Sequence, residues 1–182
     1  MIKNNRGFTL VELMAALGLS AVVISLVIAF FVVNVNNYRK INTEAELQFQ
    51  SQYILNFMSA KIMKSRNISL VRRDEVVDYS LSVQRTADTE MNTVKISFRF
   101  GDSTYDNYVF HIVNGNIRYG LGGRDIKPTV ELGSFVKNMF ISLLKNDSLG
   151  NANALRIRLI LEKDGQSYET RQIVYMRNSI QQ

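Results

Sequence analysis

The sequence predicts an α+β chain in which one long N-terminal helix, apolar all round in its first half and on one face in its second, packs on an antiparallel β-sheet. Three patterns carry that reading. Leu13 to Val33 form an uncharged apolar run, the segment after it keeps helical spacing without glycine or proline, and beyond residue 67 apolar and polar residues alternate around two tight-turn dipeptides.

The apolar run comes first. Its twenty-one residues, at a helical rise of ~1.5 Å each, span ~31 Å, close to the hydrocarbon thickness of a bilayer. A cleaved secretory signal is the rival reading, but its apolar core is usually only ~7–15 residues long and its small-residue cleavage site follows that core. Ala15, Ala16 and Ala21 lie inside the run instead. The run therefore reads as a membrane-spanning helix. Its orientation is a tie on local charge, because Lys3 and Arg6 precede it while Arg39 and Lys40 follow it closely.

The stretch NNYRKINTEAELQFQSQYILNFMSAKIMKSRN continues without a breaker. Leu47, Ser51, Ile54, Leu55, Met58 and Ile62 recur at helical spacing as one stripe with Phe57 at its edge, so the helix is expected to run on to about Arg66. A helix from Phe8 to Arg66 would be ~88 Å long. Its second part needs a surface to lie on.

The remainder supplies strands. Val94, Ile96, Phe98 and Phe100 alternate with Lys95, Ser97 and Arg99, and YVFHIVNGNIRYG places Asn114 and Gly115 between two β-rich runs as a hairpin turn. In ALRIRLILEKDGQSYETRQIVYM, Leu155, Ile157, Leu159 and Leu161 face one way, Arg156 and Arg158 the other, and Asp164 with Gly165 make the turn. Phe135 to Leu144 reads as a further, more fully buried strand. The expected organisation is a leader at 1–7, an apolar helix at 8–33, its amphipathic continuation at 34–66 and a sheet domain at 67–182.

Composition limits the function. With 182 residues, 46% hydrophobic and no cysteine, the chain has neither disulfides nor thiolate chemistry, and the part after Val33 is large enough to bury a core of its own. The net charge of +6 is dispersed, with 20 basic and 15 acidic residues beyond Val33. The densest basic pair, Arg72 and Arg73, is followed at once by Asp74 and Glu75, and reads as solvated surface. Nucleic acid is not an expected partner.

Candidate chemistry is sparse. His111 is the only histidine, and in VFHIV it shares a strand face with Val109 and Val113, so no metal cluster and no Ser-His-Asp arrangement has a credible centre. GLGG at Gly120 to Gly123 lacks the spacing and following helix of a phosphate-cradling loop and reads as a simple loop. The expectation is a protein that is not an enzyme, with no catalytic residues, no metal and no cofactor.

Glu12 remains, a carboxylate at the head of the apolar run. The segment RGFTLVELMAAL, with a basic leader, a glycine, a phenylalanine and a glutamate four residues on, resembles the processing and assembly motif of type IV prepilins and of the pseudopilins of type II secretion and competence machines. The resemblance covers roughly residues 1–33. It implies that a membrane prepilin peptidase cuts between Gly7 and Phe8 on the cytoplasmic side and methylates the new amine of Phe8, with Lys3 and Arg6 as leader charges. It also breaks the orientation tie in favour of an extracytoplasmic C-terminal domain.

Glu12, on the same resemblance, pairs with the N-terminal amine of a neighbouring subunit as the chain leaves the bilayer for a helical bundle of such segments. The alternative is a helix-end carboxylate, worth ~0.3–1 kcal/mol against the helix dipole. The implied partners are prepilin peptidase, other pilin or pseudopilin subunits, an inner-membrane assembly platform and, before assembly, the lipid bilayer. The chain departs from many pilins in carrying Ala29 where they have a proline, its sole proline being Pro128, and in lacking cysteines to close a C-terminal loop. Its ending resembles that of the larger minor pilins and J-type minor pseudopilins. The expected function is a structural, minor subunit of a pilus-like filament; the alternative is a membrane-tethered extracytoplasmic binding module, with DNA in an uptake system as its ligand. Pilus, secretion and competence machines share this N-terminus and are not separated by it.

Overall fold

The computed structural model describes residues 9–74 and 76–177. A single helix, α1 (Leu10–Ile62), precedes eleven strands: β1 (Asn67–Arg72), β2 (Gln84–Arg85), β3 (Met91–Asn92), β4 (Lys95–Arg99), β5 (Asn107–Val113), β6 (Asn116–Gly122), β7 (Val130–Gly133), β8 (Val136–Leu143), β9 (Asp147–Ser148), β10 (Ala154–Lys163) and β11 (Gln166–Tyr175). The chain divides into two compact units, Met1–Asn42 and Thr43–Gln182.

In the first unit, the large apolar side chains from Leu10 to Val33 are all between 51% and 75% exposed. An apolar surface of that size gains from leaving water, and a mean hydropathy of 2.8 with at most two charges in an eighteen-residue window makes α1 long and apolar enough to cross a bilayer. The polar side chains on it are satisfied on its own backbone: Ser20 Oγ donates to Ala16 O at 2.8 Å, Ser25 Oγ to Val22 O at 2.7 Å and Asn34 Nδ2 to Phe30 O at 2.7 Å. That is what hydrocarbon requires. Ala29 lies inside α1 without interrupting it.

In the second unit, the buried residues of α1 are Leu47, Ser51, Ile54, Leu55, Met58, Ser59 and Ile62, the predicted stripe with Ser59 added. The helix ends four residues before the predicted Arg66. Lys64 N–H reaches back only to Lys61 O and Ser65 N–H to Ile62 O, tightening the last turn, and Arg66 N–H is already spent on the carbonyl oxygen of Arg99, the last residue of β4.

The stripe lies on two sheets rather than one. Their strand orders are β1-β4-β5-β6-β7 and β11-β10-β8-β3, with β2 and β9 forming a small third pair, and all pairings are antiparallel. Ile54, Met58 and Ile62 share one core with Phe98, Phe110 and Ile117 of the first sheet and Met139, Ile141 and Leu159 of the second. Close approach is set at Gly133 in β7, where an added Cβ would stand 2.8 Å from Ile54 Cδ1 and from Gln50 Oε1. Phe57 meets Tyr119 edge-on at 5.0 Å, and Lys61 Nζ lies 5.3 to 5.5 Å from the rings of Phe57, Tyr108 and Tyr119.

Both predicted hairpins form on their predicted dipeptides. Asn114 and Gly115 have φ of 52° and 76°, Asp164 and Gly165 of 51° and 74°, the left-handed pair that a two-residue turn needs. Leu155, Ile157, Leu159 and Leu161 are fully buried, and the strand expected at Phe135 to Leu144 forms as β8, which lies between β10 and β3.

Three local expectations are corrected. GLGG is not a loop: Gly120, Leu121 and Gly122 pair with Val109, Tyr108 and Asn107 as the end of β6. Glycine suits Gly120 because Pro128 and Ile126 cross above it, only 3.1 Å from where a Cβ would be. Arg72 is not solvated surface but holds Asp78 and Asp125 with its side chain 17% exposed. In β4, Lys95 and Ser97 are buried as fully as Ile96 and Phe98, and Phe100 falls beyond the strand. Asp74 caps the turn after β1, its Oδ1 accepting from Val76 and Val77 N–H, while Glu75 lies outside the described residues.

Candidate assembly site

The described chain begins at the start of α1. Thr9 precedes the first helical residue, and its carbonyl accepts from Leu13 N–H at 3.1 Å, which makes it the N-cap. Its hydroxyl accepts from Glu12 N–H at 3.3 Å, while Glu12 Oε2 accepts from Thr9 N–H at 2.8 Å and from Thr9 Oγ1 at 3.0 Å. A Thr and a Glu three residues apart that satisfy each other's backbone form a capping box. It fills two of the donors that a helix start leaves without intrahelical partners.

Two consequences follow for Glu12. Its carboxylate lies over the positive end of the helix, so the helix-end role is physically realised. It is also exposed, on a helix whose neighbouring side chains are apolar and exposed, so a second partner has access to it. The predicted Lys3, Arg6, Gly7 and Phe8 lie outside the described residues. Thr9 is the residue of this site that the sequence reading passed over. The T-x-x-E spacing is a sufficient signal for it, but that reading took Thr9 only as part of the longer motif.

Among the described residues, no group of three or more His, Asp or Glu side chains is placed to hold a metal ion. His111 sits in β5 opposite Lys95 and Arg118, with its side chain partly buried.

Comparison with known proteins agrees with the position of the capping box. The model of one protein family, described as the prokaryotic N-terminal methylation motif, matches residues 2–28. Searches of the curated proteins and of the solved structures find no match. The matched segment holds the apolar head of α1, the Thr9–Glu12 box and the residues immediately before them. The methylation motif leads a long apolar helix, and an α+β body of antiparallel sheets packs on the end of the same helix, so the chain is similar at its N-terminus to type IV prepilins and pseudopilins.

Proposed function

We propose that this protein is a structural, minor subunit of a type IV pilus or a pilus-like filament and acts by assembly, not by turnover. Prepilin peptidase cuts it between Gly7 and Phe8 and methylates the Phe8 amine. Before assembly, its apolar helix anchors it in the membrane with the sheet domain on the extracytoplasmic side. Glu12 then serves twice, as the helix cap within its own chain and as the carboxylate that receives the N-terminal amine of a neighbouring subunit.

The observation that carries the reading is the methylation motif at residues 2–28, which extends into a helix whose large apolar side chains from Leu10 to Val33 are all exposed. A carboxylate there would be a pure cost in hydrocarbon unless something on the protein uses it. The test is mass spectrometry of filaments sheared from cells that make the chain. A mature form beginning at methylated Phe8, present at few copies per filament, is the expected result. An intact Met1, or a chain that stays in the membrane fraction while filaments assemble normally without it, refutes the proposal.

A further inference from the structure

A cleft of about 630 Å³, open to solvent, lies in the second unit between the loop after β4 and the loop after β6; Arg99, Thr104, Tyr105, Gly123, Arg124 and Asp125 line it. Its electrostatics are one-sided. Asp125 is already neutralised, since Oδ1 accepts from Arg72 Nη1 at 2.9 Å and from Lys95 Nζ at 2.5 Å, and Oδ2 from Arg72 Nη2 at 3.1 Å. Neither Arg99 nor Arg124 has a carboxylate partner among the described residues. Arg99 Nε is itself buried, so a ligand in the cleft would meet the guanidinium through its Nη groups. A guanidinium fork is shaped to give paired hydrogen bonds to an oxyanion.

Buried polar side chains also tie down the walls of the cleft. Three polar residues of β4 and β5, each at most 2% exposed, donate hydrogen bonds to carbonyls of the two lining loops and of the end of β6. Ser97 Oγ donates to Arg124 O at 2.5 Å and Lys95 Nζ to Asp125 O at 3.0 Å. Asn107 Nδ2 donates to Thr104 O at 2.7 Å and to Gly122 O at 3.0 Å, hanging both loops on one side chain, and Ser69 Oγ fixes its Oδ1 at 2.7 Å. Burying such groups is costly unless they are satisfied, and satisfied networks fix geometry. At the mouth, the ring of Tyr105 is 73% exposed beside the backbone of Gly123, a flat apolar surface next to two cations.

We propose that this cleft binds a sugar phosphate, its phosphoryl oxygens received by Arg99 and Arg124 and its ring lying on Tyr105. Two guanidinium groups match a dianionic phosphate in charge and in number of acceptors better than they match a single carboxylate. The inference stands apart from the assembly reading, which uses only the N-terminal segment.

Calorimetric titration of the full chain in a non-ionic detergent with glucose 1-phosphate, inorganic phosphate, glucose and a short DNA duplex tests it. Saturable binding of glucose 1-phosphate is expected, tighter than that of inorganic phosphate and absent for glucose. Arg99→Gln and Arg124→Gln should each weaken it about tenfold or more with the melting temperature unchanged, and Arg171→Gln on β11 should not. Tyr105→Ala, on an exposed side chain that folding does not need, should bring glucose 1-phosphate down to the affinity of inorganic phosphate. The proposal is overturned by any of four results: no saturation, full affinity in folded Arg99→Gln and Arg124→Gln, equal affinity for the two phosphates in the original chain, or a response to the duplex alone, which would make the cleft a nucleic-acid contact.

Discussion

Glu12 already has a partner in Thr9, so an incoming amine must share the carboxylate with the helix start. Substitution by valine removes both roles at once and cannot tell them apart. Glutamine can, because a capping box accepts Gln at this position while the charge is lost. We expect Glu12→Gln to keep the start of α1 and be processed normally, yet to be missing from sheared filaments. Thr9→Ala, which loses the hydroxyl cap at about 0.5–2 kcal/mol but keeps the charge, should still assemble. If the two variants assemble equally well, the amine pairing is wrong and Glu12 is a cap only. Asp125 is another residue whose charge is spent within the fold. The Lys95 ammonium and the Arg72 guanidinium beside it hold its carboxyl at about 2, below the ordinary 3.8. A lowered folded value means that the stabilisation is complete above pH ~4 and is lost as pH falls from there through about 2. Asp125→Asn should therefore lower the melting temperature at pH 7, but modestly, because the Asp125 side chain is 55% exposed and solvent screens its pairing. It should also flatten the further loss between pH 4 and pH 2; parallel curves for the two proteins over that interval would contradict the assignment.

Among the elements, the contact of α1 with β7 has the least slack. Ile54 is completely buried and Gly133 has no room for a methyl group, so each position limits the other. Ile54→Ala should cost about 2–5 kcal/mol and Gly133→Ala about 1–3 kcal/mol, the first by a void and the second by crowding. Combined, the new methyl occupies part of the new void, and the thermal denaturation of the double variant should show a loss well below the sum. Strict additivity would mean that the two residues do not meet. How legible each element is in the sequence follows from its burial. α1, β5, β6, β10 and β11 are readable because their periods are clear and their turns sit on Asn-Gly and Asp-Gly. β1 escapes because Ile68, Ser69, Leu70 and Val71 are all buried, which erases alternation. β7 is four residues long with Val130 and Glu131 both exposed, too little to show a pattern. The glycines of β6 read as loop because what requires them, Pro128 and Ile126 against Gly120 and Ile126 against Gly122, is a tertiary fact. The same divide holds for the sites. T-x-x-E is local and could be read, whereas the cleft depends on Asn107 joining Thr104 to Gly122, a contact that no spacing announces.

At the scale of the whole molecule, the unit Thr43–Gln182 contains the buried face of α1, both sheets and the core that joins them. A chain beginning at Thr43 should accordingly be soluble and folded, with mixed helix and sheet by circular dichroism and one cooperative unfolding transition. A disordered product would show that the residues before Thr43 are needed for the fold. The two long hairpins also fix a timetable. β5 with β6 and β10 with β11 close over two-residue turns, contacts that form in ~1–10 μs once both strands exist. The stripe from Leu47 to Ile62 is synthesised before every strand that covers it, and the ion pair of Glu46 with Lys163 joins residues 117 positions apart. At ~5–20 residues per second, the ribosome keeps that greasy face waiting for several seconds before its cover is made. During that interval the uncovered stripe is an aggregation hazard.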